Sequence, residues 1–184
     1  MHQVMSWEDS MFAVFDDLEQ QAEGLSLVER DAEVADLTLA EYSRVRLASR
    51  LHASVGRDLR VRLLGGRVLS GRLARLGEDW FLLADGSSEW VVRHQGVATL
   101  DGLSIKAHSE DTWSVVDRLT LRAVLRRLAA AGESCLVHFC DDQQAEGRVG
   151  RVGRDFFELD TGVGVGRITQ VVPNDAVAAL QGRR

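Results

Sequence analysis

Three groups of residues in this 184-residue chain could do chemistry by their type and spacing. Cys135, His138 and Cys140 form a Cys-x-x-His-x-Cys run, and two thiolates with an imidazole would suit a tetrahedral zinc centre. Successive residues of a strand point to opposite faces, however, and this run reads as a strand with Cys135 inward and His138 outward. Ligands on opposite faces do not converge on one ion, so no metal site is expected and both cysteines read as free thiols. The run Gly162-Val163-Gly164-Val165-Gly166 imitates a phosphate-cradling loop. Such a loop needs a helix N-terminus behind it and a lysine or acidic partner. Neither accompanies it, and a flexible hairpin between strands is expected. The five histidines (His2, His52, His94, His108 and His138) are scattered. No serine, histidine and acid form a readable nucleophile arrangement, and no paired carboxylates sit in an apolar setting that would separate their pKa values. The expectation is therefore a non-enzymatic protein with no catalytic residue and no cofactor.

The third group is basic. Between residues 56 and 77, Arg57, Arg60, Arg62, Arg67, Arg72 and Arg75 face a single acid, Asp58. Arg60, Arg62 and Arg72 share the parity of one outer face of a β-hairpin, where guanidinium groups can pair with phosphates or carboxylates. Arg60, Arg62, Arg67 and Arg72 are thus the candidate contacts to nucleic acid or to a protein partner. A solvated face on an Arg-rich chain is the plain alternative: lysine occurs once, at Lys106, beside 21 arginines.

The elements that must position these residues repeat. Gly71 to Leu83 lies over Gly147 to Leu159 at a constant offset of 76, and seven of the thirteen positions are identical. The offset extends upstream: Thr38, Glu41, Arg46, Arg50 and Gly56 fall on Ser114, Asp117, Arg122, Arg126 and Gly132. Each copy reads as a capping box opening a helix, a glycine stop, and then β-structure. The first helix is placed at about 39–55. In the first copy Leu59, Val61 and Leu63 alternate with Arg60 and Arg62, and Leu69, Gly71 and Leu73 alternate with Ser70 and Arg72. A shared inner face demands an odd number of turn residues, which a three-residue hairpin with Gly66 left-handed supplies. Trp80–Leu83, Glu89–Arg93 and Val97–Leu100 follow as short strands. Five turn-punctuated strands in about fifty residues predict a small β-barrel in each copy, with Trp80 and Phe156 as equivalent core residues.

Ahead of the repeats lies an acidic segment: residues 1–55 carry eleven acids against four arginines. Ser6-x-x-Asp9 and Ser26-x-x-Glu29 are further helix-start signals. Trp7, Met11, Val14, Phe15, Leu18, Ala22 and Leu25 recur at helical spacing, a stripe that packs on its own protein or docks in a partner's groove. Trp7, Met11, Phe15 and Leu18 are the candidate partner-helix face. The expected architecture is α+β: an acidic helical arm (1–37), then a helix with a five-stranded small barrel (38–105), then a second such unit (106–184). No apolar run reaches membrane-span length and the N-terminus is acidic, so a cytoplasmic protein with no membrane association is expected.

Val61-x-Leu63-x-x-Gly66-Arg67-x-Leu69-x-Gly71-x-Leu73 resembles the first signature of the Sm-like proteins, the LSm and Hfq superfamily. The resemblance covers about 38–103 and again 114–180, and it implies a helix followed by a five-stranded bent barrel, and RNA as a family ligand. The family's RNA-contacting Asp and Asn would fall near Gly77 and Phe81, and near Gly153 and Phe157. Its second signature is only echoed, in Val91-Val92-Arg93-His94-Gln95-Gly96, and is absent from Arg167 to Val172. The opening from Ser6-Trp7-Glu8-Asp9 through Glu23-Gly24 is similar to an uncharacterised actinobacterial family, which implies no activity. The favoured functional expectation is a module that binds a protein partner. The alternative is an RNA- or DNA-binding regulator using the basic hairpin, and self-association through edge strands is left open.

Overall fold

The computed structural model describes residues 42–86, 88–108, 113–114, 116–162 and 166–182. The acidic arm, with Trp7, Met11, Phe15 and Leu18, and the glycine run at 163–165 lie outside the described residues. Arg46–Arg184 groups as one compact unit. Its elements are α1 (Leu47–His52), β1 (Asp58–Leu63), β2 (Val68–Leu76), β3 (Trp80–Asp85), β4 (Ser88–Arg93), β5 (Val97–Asp101), α2 (Leu121–Ala131), β6 (Ser134–Phe139), β7 (Gln144–Val152), β8 (Phe156–Thr161), β9 (Ile168–Pro173) and β10 (Val177–Gly182). Short 3-10 turns at His94–Gly96 and Asn174–Ala176 lead into β5 and β10.

The expectation of two closed five-stranded barrels behind N-terminal helices is overturned. The ten strands form one open antiparallel sheet in the order β5-β1-β2-β3-β4-β10-β6-β7-β8-β9, accompanied among the described residues by two short helices. Each half keeps the same internal strand order, so the repeat is present in the topology. What the sequence reading missed is that β4 does not close on its own half. Its backbone groups pair instead with β10, through Val92↔Ala179, Val91↔Leu180 and Trp90↔Gln181.

That junction divides the apolar residues between the two faces of the sheet. On one face Leu59, Val61, Leu63, Leu69, Leu73, Phe81, Leu83 and Val92 form the first core, joined by Ala178 and Ala179 of β10. On the other, Val137, Val149, Phe157, Leu159, Val172 and Leu180 form the second core with Leu121 and Leu125 of α2. Cross-strand neighbours share a face, so residues of opposite parity on β3 and β4 serve different cores. Phe81 and Val92 belong to the first, whereas Trp80, Leu82 and Val91 pack into the second. Trp80 is core, but of the second cluster, and its indole Nε1–H donates to the Leu119 carbonyl at 2.9 Å. Its counterpart Phe156 is 38% exposed.

Local signals operate with two adjustments. Leu63 N–H donates to the Arg67 carbonyl and Gly66 has φ +95°, giving the three-residue β1–β2 turn that puts Leu63 and Leu69 on one face. Gly132 ends α2 at φ 67°, where a residue with a Cβ would be strained. The Ser114–Asp117 box is half formed: the amide and the hydroxyl of Ser114 both donate to Asp117 Oδ2 at 2.8 Å, while the Asp117 amide donates to the Ser114 carbonyl. It opens only the 3-10 turn Val116–Arg118, and α2 begins at Leu121, whose amide is taken by Asp79 Oδ1 at 2.7 Å. The first helix is likewise shorter than expected, Leu47–His52.

Arg93, at the end of β4 and only 7% exposed, fastens the junction. Its guanidinium donates to the Asn174 carbonyl at 2.8 Å and also to Gln95 Oε1 and to the Asp175 carboxylate. Beside it Gly96 passes so close to β10 that an added Cβ would lie 2.5 Å from the Ala178 Cα. Arg93→Ala is expected to lower unfolding stability by about 1.5–3 kcal/mol, the range for hydrogen bonds made by a charged group. Asp175 is 88% exposed, so Asp175→Asn should cost much less. Urea melts of the two variants check this order.

Candidate partner-binding surface

β1 and β2 place the basic residues by simple alternation. Their inward residues Leu59, Val61, Leu63, Leu69 and Leu73 are buried, which leaves Arg60, Arg62 and Arg72 exposed on the opposite face. Arg67, in the backbone pair that closes the turn, is also exposed. The register sets their neighbours: Arg60 stands between Ser70 on β2 and Asp101 on β5, and Arg62 between Val68 and Thr99. Arg72 is opposite Asp58, with an exposed ion pair at 3.9 Å. Arg62 Nε donates to Thr99 Oγ1 at 3.3 Å. The surface is therefore cationic but punctuated, and the cleft at this end of the hairpin is lined by Asp58, Asp85 and Asp101 together with Arg60.

The positions where the Sm-like resemblance would put RNA contacts are built otherwise. Phe81 and Phe157 are fully buried, and a Cβ on Gly77 would meet the Trp80 indole at 2.2 Å. Gly153 is pressed in the same way against Phe156, at 2.6 Å. Small residues at Gly77 and Gly153 are explained by the aromatic ring that follows each of them.

Cys135 and His138 do lie on opposite faces, but His138 does not point to solvent. It is 3% exposed, with Trp90 of β4 lying over it at a ring separation of 5.1 Å. Its strand parity was legible, while the cover supplied by β4 was not. Burial pushes the Cys135 thiol up to about 11, so it is a poor nucleophile. Among the described residues no three or more His, Cys, Asp or Glu side chains are arranged so that they could hold a metal ion.

Reading the histidines as scattered missed one association. His52 of α1 sits between Asp117, with Nε2 to Oδ2 at 3.3 Å, and His108, with Nδ1 to Nδ1 at 3.3 Å, and stacks on Trp113. Ser114 bonds the same Asp117 oxygen rather than the imidazole, so nucleophile and base are not paired. The contact ties α1 to the segment before α2. The spacing of 65 residues between His52 and Asp117 offers no sequence signal for it. Leu64 and Val171, which carry no sequence signal, are exposed at 54% and 63%, and Phe156, expected in the core, at 38%.

No helix among the described residues is long and apolar enough to cross a membrane. No protein-family model matches the chain, and a search of curated proteins finds no match either.

Two imidazoles are held below their usual pKa by burial. For His138 the nearby Arg67 guanidinium adds to the effect, and for His94 it is opposed by Asp79. Nε2 of both rings is buried without a hydrogen-bond partner. A histidine whose folded pKa is depressed is protonated more readily in the unfolded chain. Stability from this source is complete above about pH 6.5 and is lost as pH falls toward the lower folded values. The melting temperature is expected to drop as pH is lowered from neutrality to about 5.5, and His138→Gln should flatten the profile. An unchanged slope in that variant would remove His138 from the explanation.

Proposed function

We propose that this protein is a cytoplasmic, non-enzymatic binding module that recruits a protein partner through the exposed face of β5, β1 and β2. One observation carries the reading: Arg60, Arg62 and Arg72 share that face with Asp58, Asp101, Ser70 and Thr99, so donors and acceptors of both signs alternate over a rigid sheet. Such a surface complements a folded or extended polypeptide carrying both carboxylates and amides. Mixed charge of this kind gives orientation and selectivity more than raw affinity. A nucleic-acid backbone presents acceptors of one sign only, and would meet Asp58, Asp85 and Asp101 beside Arg60.

The nucleic-acid reading retains one observation in its favour, the joint exposure of Arg60, Arg62, Arg67 and Arg72 around a single hairpin. The two readings separate in one experiment on the full chain and an Arg60→Glu, Arg62→Glu variant. Anisotropy of labelled single-stranded RNA and duplex DNA is followed over a salt series, and stoichiometric capture of a protein from the native cells is compared in parallel. The expected outcome is little nucleic-acid binding at moderate salt, with a captured protein that the variant loses while its melting temperature is unchanged. Nucleic-acid affinity that falls steeply with salt, with the slope reduced by about two in the variant, would establish the alternative instead.

A further inference from the structure

The β4–β10 junction has a pattern that the two ends of the sheet repeat without a partner. Residues 88–101 correspond to 168–181, so Trp90, Val91 and Val92 of β4 have their counterparts in Gln170, Val171 and Val172 of β9. Ala179, Leu180 and Gln181 of β10 likewise match Thr99, Leu100 and Asp101 of β5. β4 and β10 pair with one another, whereas among the described residues β9 pairs only with β8 and β5 only with β1. One outer edge of the sheet is a second copy of the β4 side of the junction, and the other is a second copy of the β10 side.

The apolar side chains follow the same rule. At the junction Trp80, Leu82 and Val91 are covered by the following half. Their counterparts at the β9 end are Phe156, Glu158 and Val171, and the two apolar ones are left 38% and 63% exposed. From the other side of the junction, Cys140 packs against the first core and its amide donates to the Ala176 carbonyl. Its counterpart is Leu64, whose amide donates to Gly96 in the same way and whose side chain is 54% exposed. Three of the large exposed hydrophobics thus occupy positions that the chain buries at least in part at the junction, where Trp80 is buried and Val91 and Cys140 are half-buried.

We infer that the protein self-associates head to tail, β9 of one copy pairing antiparallel with β5 of a second copy in the register that β4 and β10 use. Val172, Val171 and Gln170 then face Thr99, Leu100 and Asp101 of the neighbour, and Phe156, Val171 and Leu64 are covered. The contact is heterologous, joining different surfaces of the two copies. It is also weaker than the internal junction. Arg93 is replaced by Pro173 and Asp175 by Gln95, so the buried guanidinium fastener has no counterpart, and Glu158 stands where Leu82 stood. Association is accordingly expected to depend on concentration.

The test is sedimentation velocity with light scattering on the full chain from micromolar to near-millimolar concentration, beside Val171→Lys at one edge and Leu64→Lys at the other. Both positions are exposed in the single chain, so the melting temperatures of the variants should match the parent. The parent should exceed its single-chain mass of 20.3 kDa as concentration rises. Each variant alone should lose that increase. An equimolar mixture of the two should recover a species of about twice the single-chain mass and no larger, because only one pair of intact, complementary edges remains. A parent that stays at single-chain mass throughout, variants that associate like the parent, or a mixture that stays at single-chain mass would each overturn the inference.

Discussion

The hydrogen-bonded pairing of β4 with β10 is the constraint on which the remaining structure depends. A five-stranded half with this strand order has two open edges, and each edge leaves a row of backbone donors and acceptors without protein partners. Joining the halves removes one edge from each and turns β10 into a wall shared by both cores. Ala178 and Ala179 complete the first, and Val177 and Leu180 complete the second. The small alanine side chains permit the close approach that Gly96 also requires. The buried Arg93 guanidinium then finds its acceptors in the Asn174 carbonyl and the Asp175 carboxylate, without which its charge would be costly to bury.

The use of opposite faces explains features that neither half explains alone. Trp80 is buried by α2 and the segment before it, and Asp79 in the same turn receives the first amide of α2. His138 is desolvated by Trp90, a residue of the other half. With its interior spent on holding the halves together, the first half shows solvent the outer face of β5, β1 and β2, where Arg60, Arg62 and Arg72 alternate with acids. The proposed partner surface is thus the reverse side of the first core, and its rigidity derives from Leu59, Val61 and Leu73 behind it.

The periodic parts of this arrangement were legible in the residues. Alternation around Arg60 and Arg62 placed β1 and its faces, Gly66 placed the turn, Gly132 the end of α2, and the 76-residue offset placed corresponding strands in both copies. Strand partners were not legible, because pairing of β4 with β10 depends on backbone groups that every residue except proline carries equally. From that one gap follow the misassigned closed barrels, the inward placement given to Phe156 and the outward placement given to His138. Residue type alone does not show whether another half lies over Phe156 or His138. The His52–Asp117 contact was invisible for a related reason, since it joins segments brought together only by the packing of α1 and the chain ahead of α2.

Hydrogen exchange on the dilute full chain, read in peptides covering 89–93 and 177–181, measures the junction directly. If β4 and β10 form the interior of one sheet, their amides exchange as slowly as those of β1 and β2, and more slowly than those of the outer strands β5 and β9. Exchange of either peptide at the rate of the outer strands, while β1 and β2 stay protected, would mean that the two halves are separate bodies and that the shared sheet does not hold the protein together.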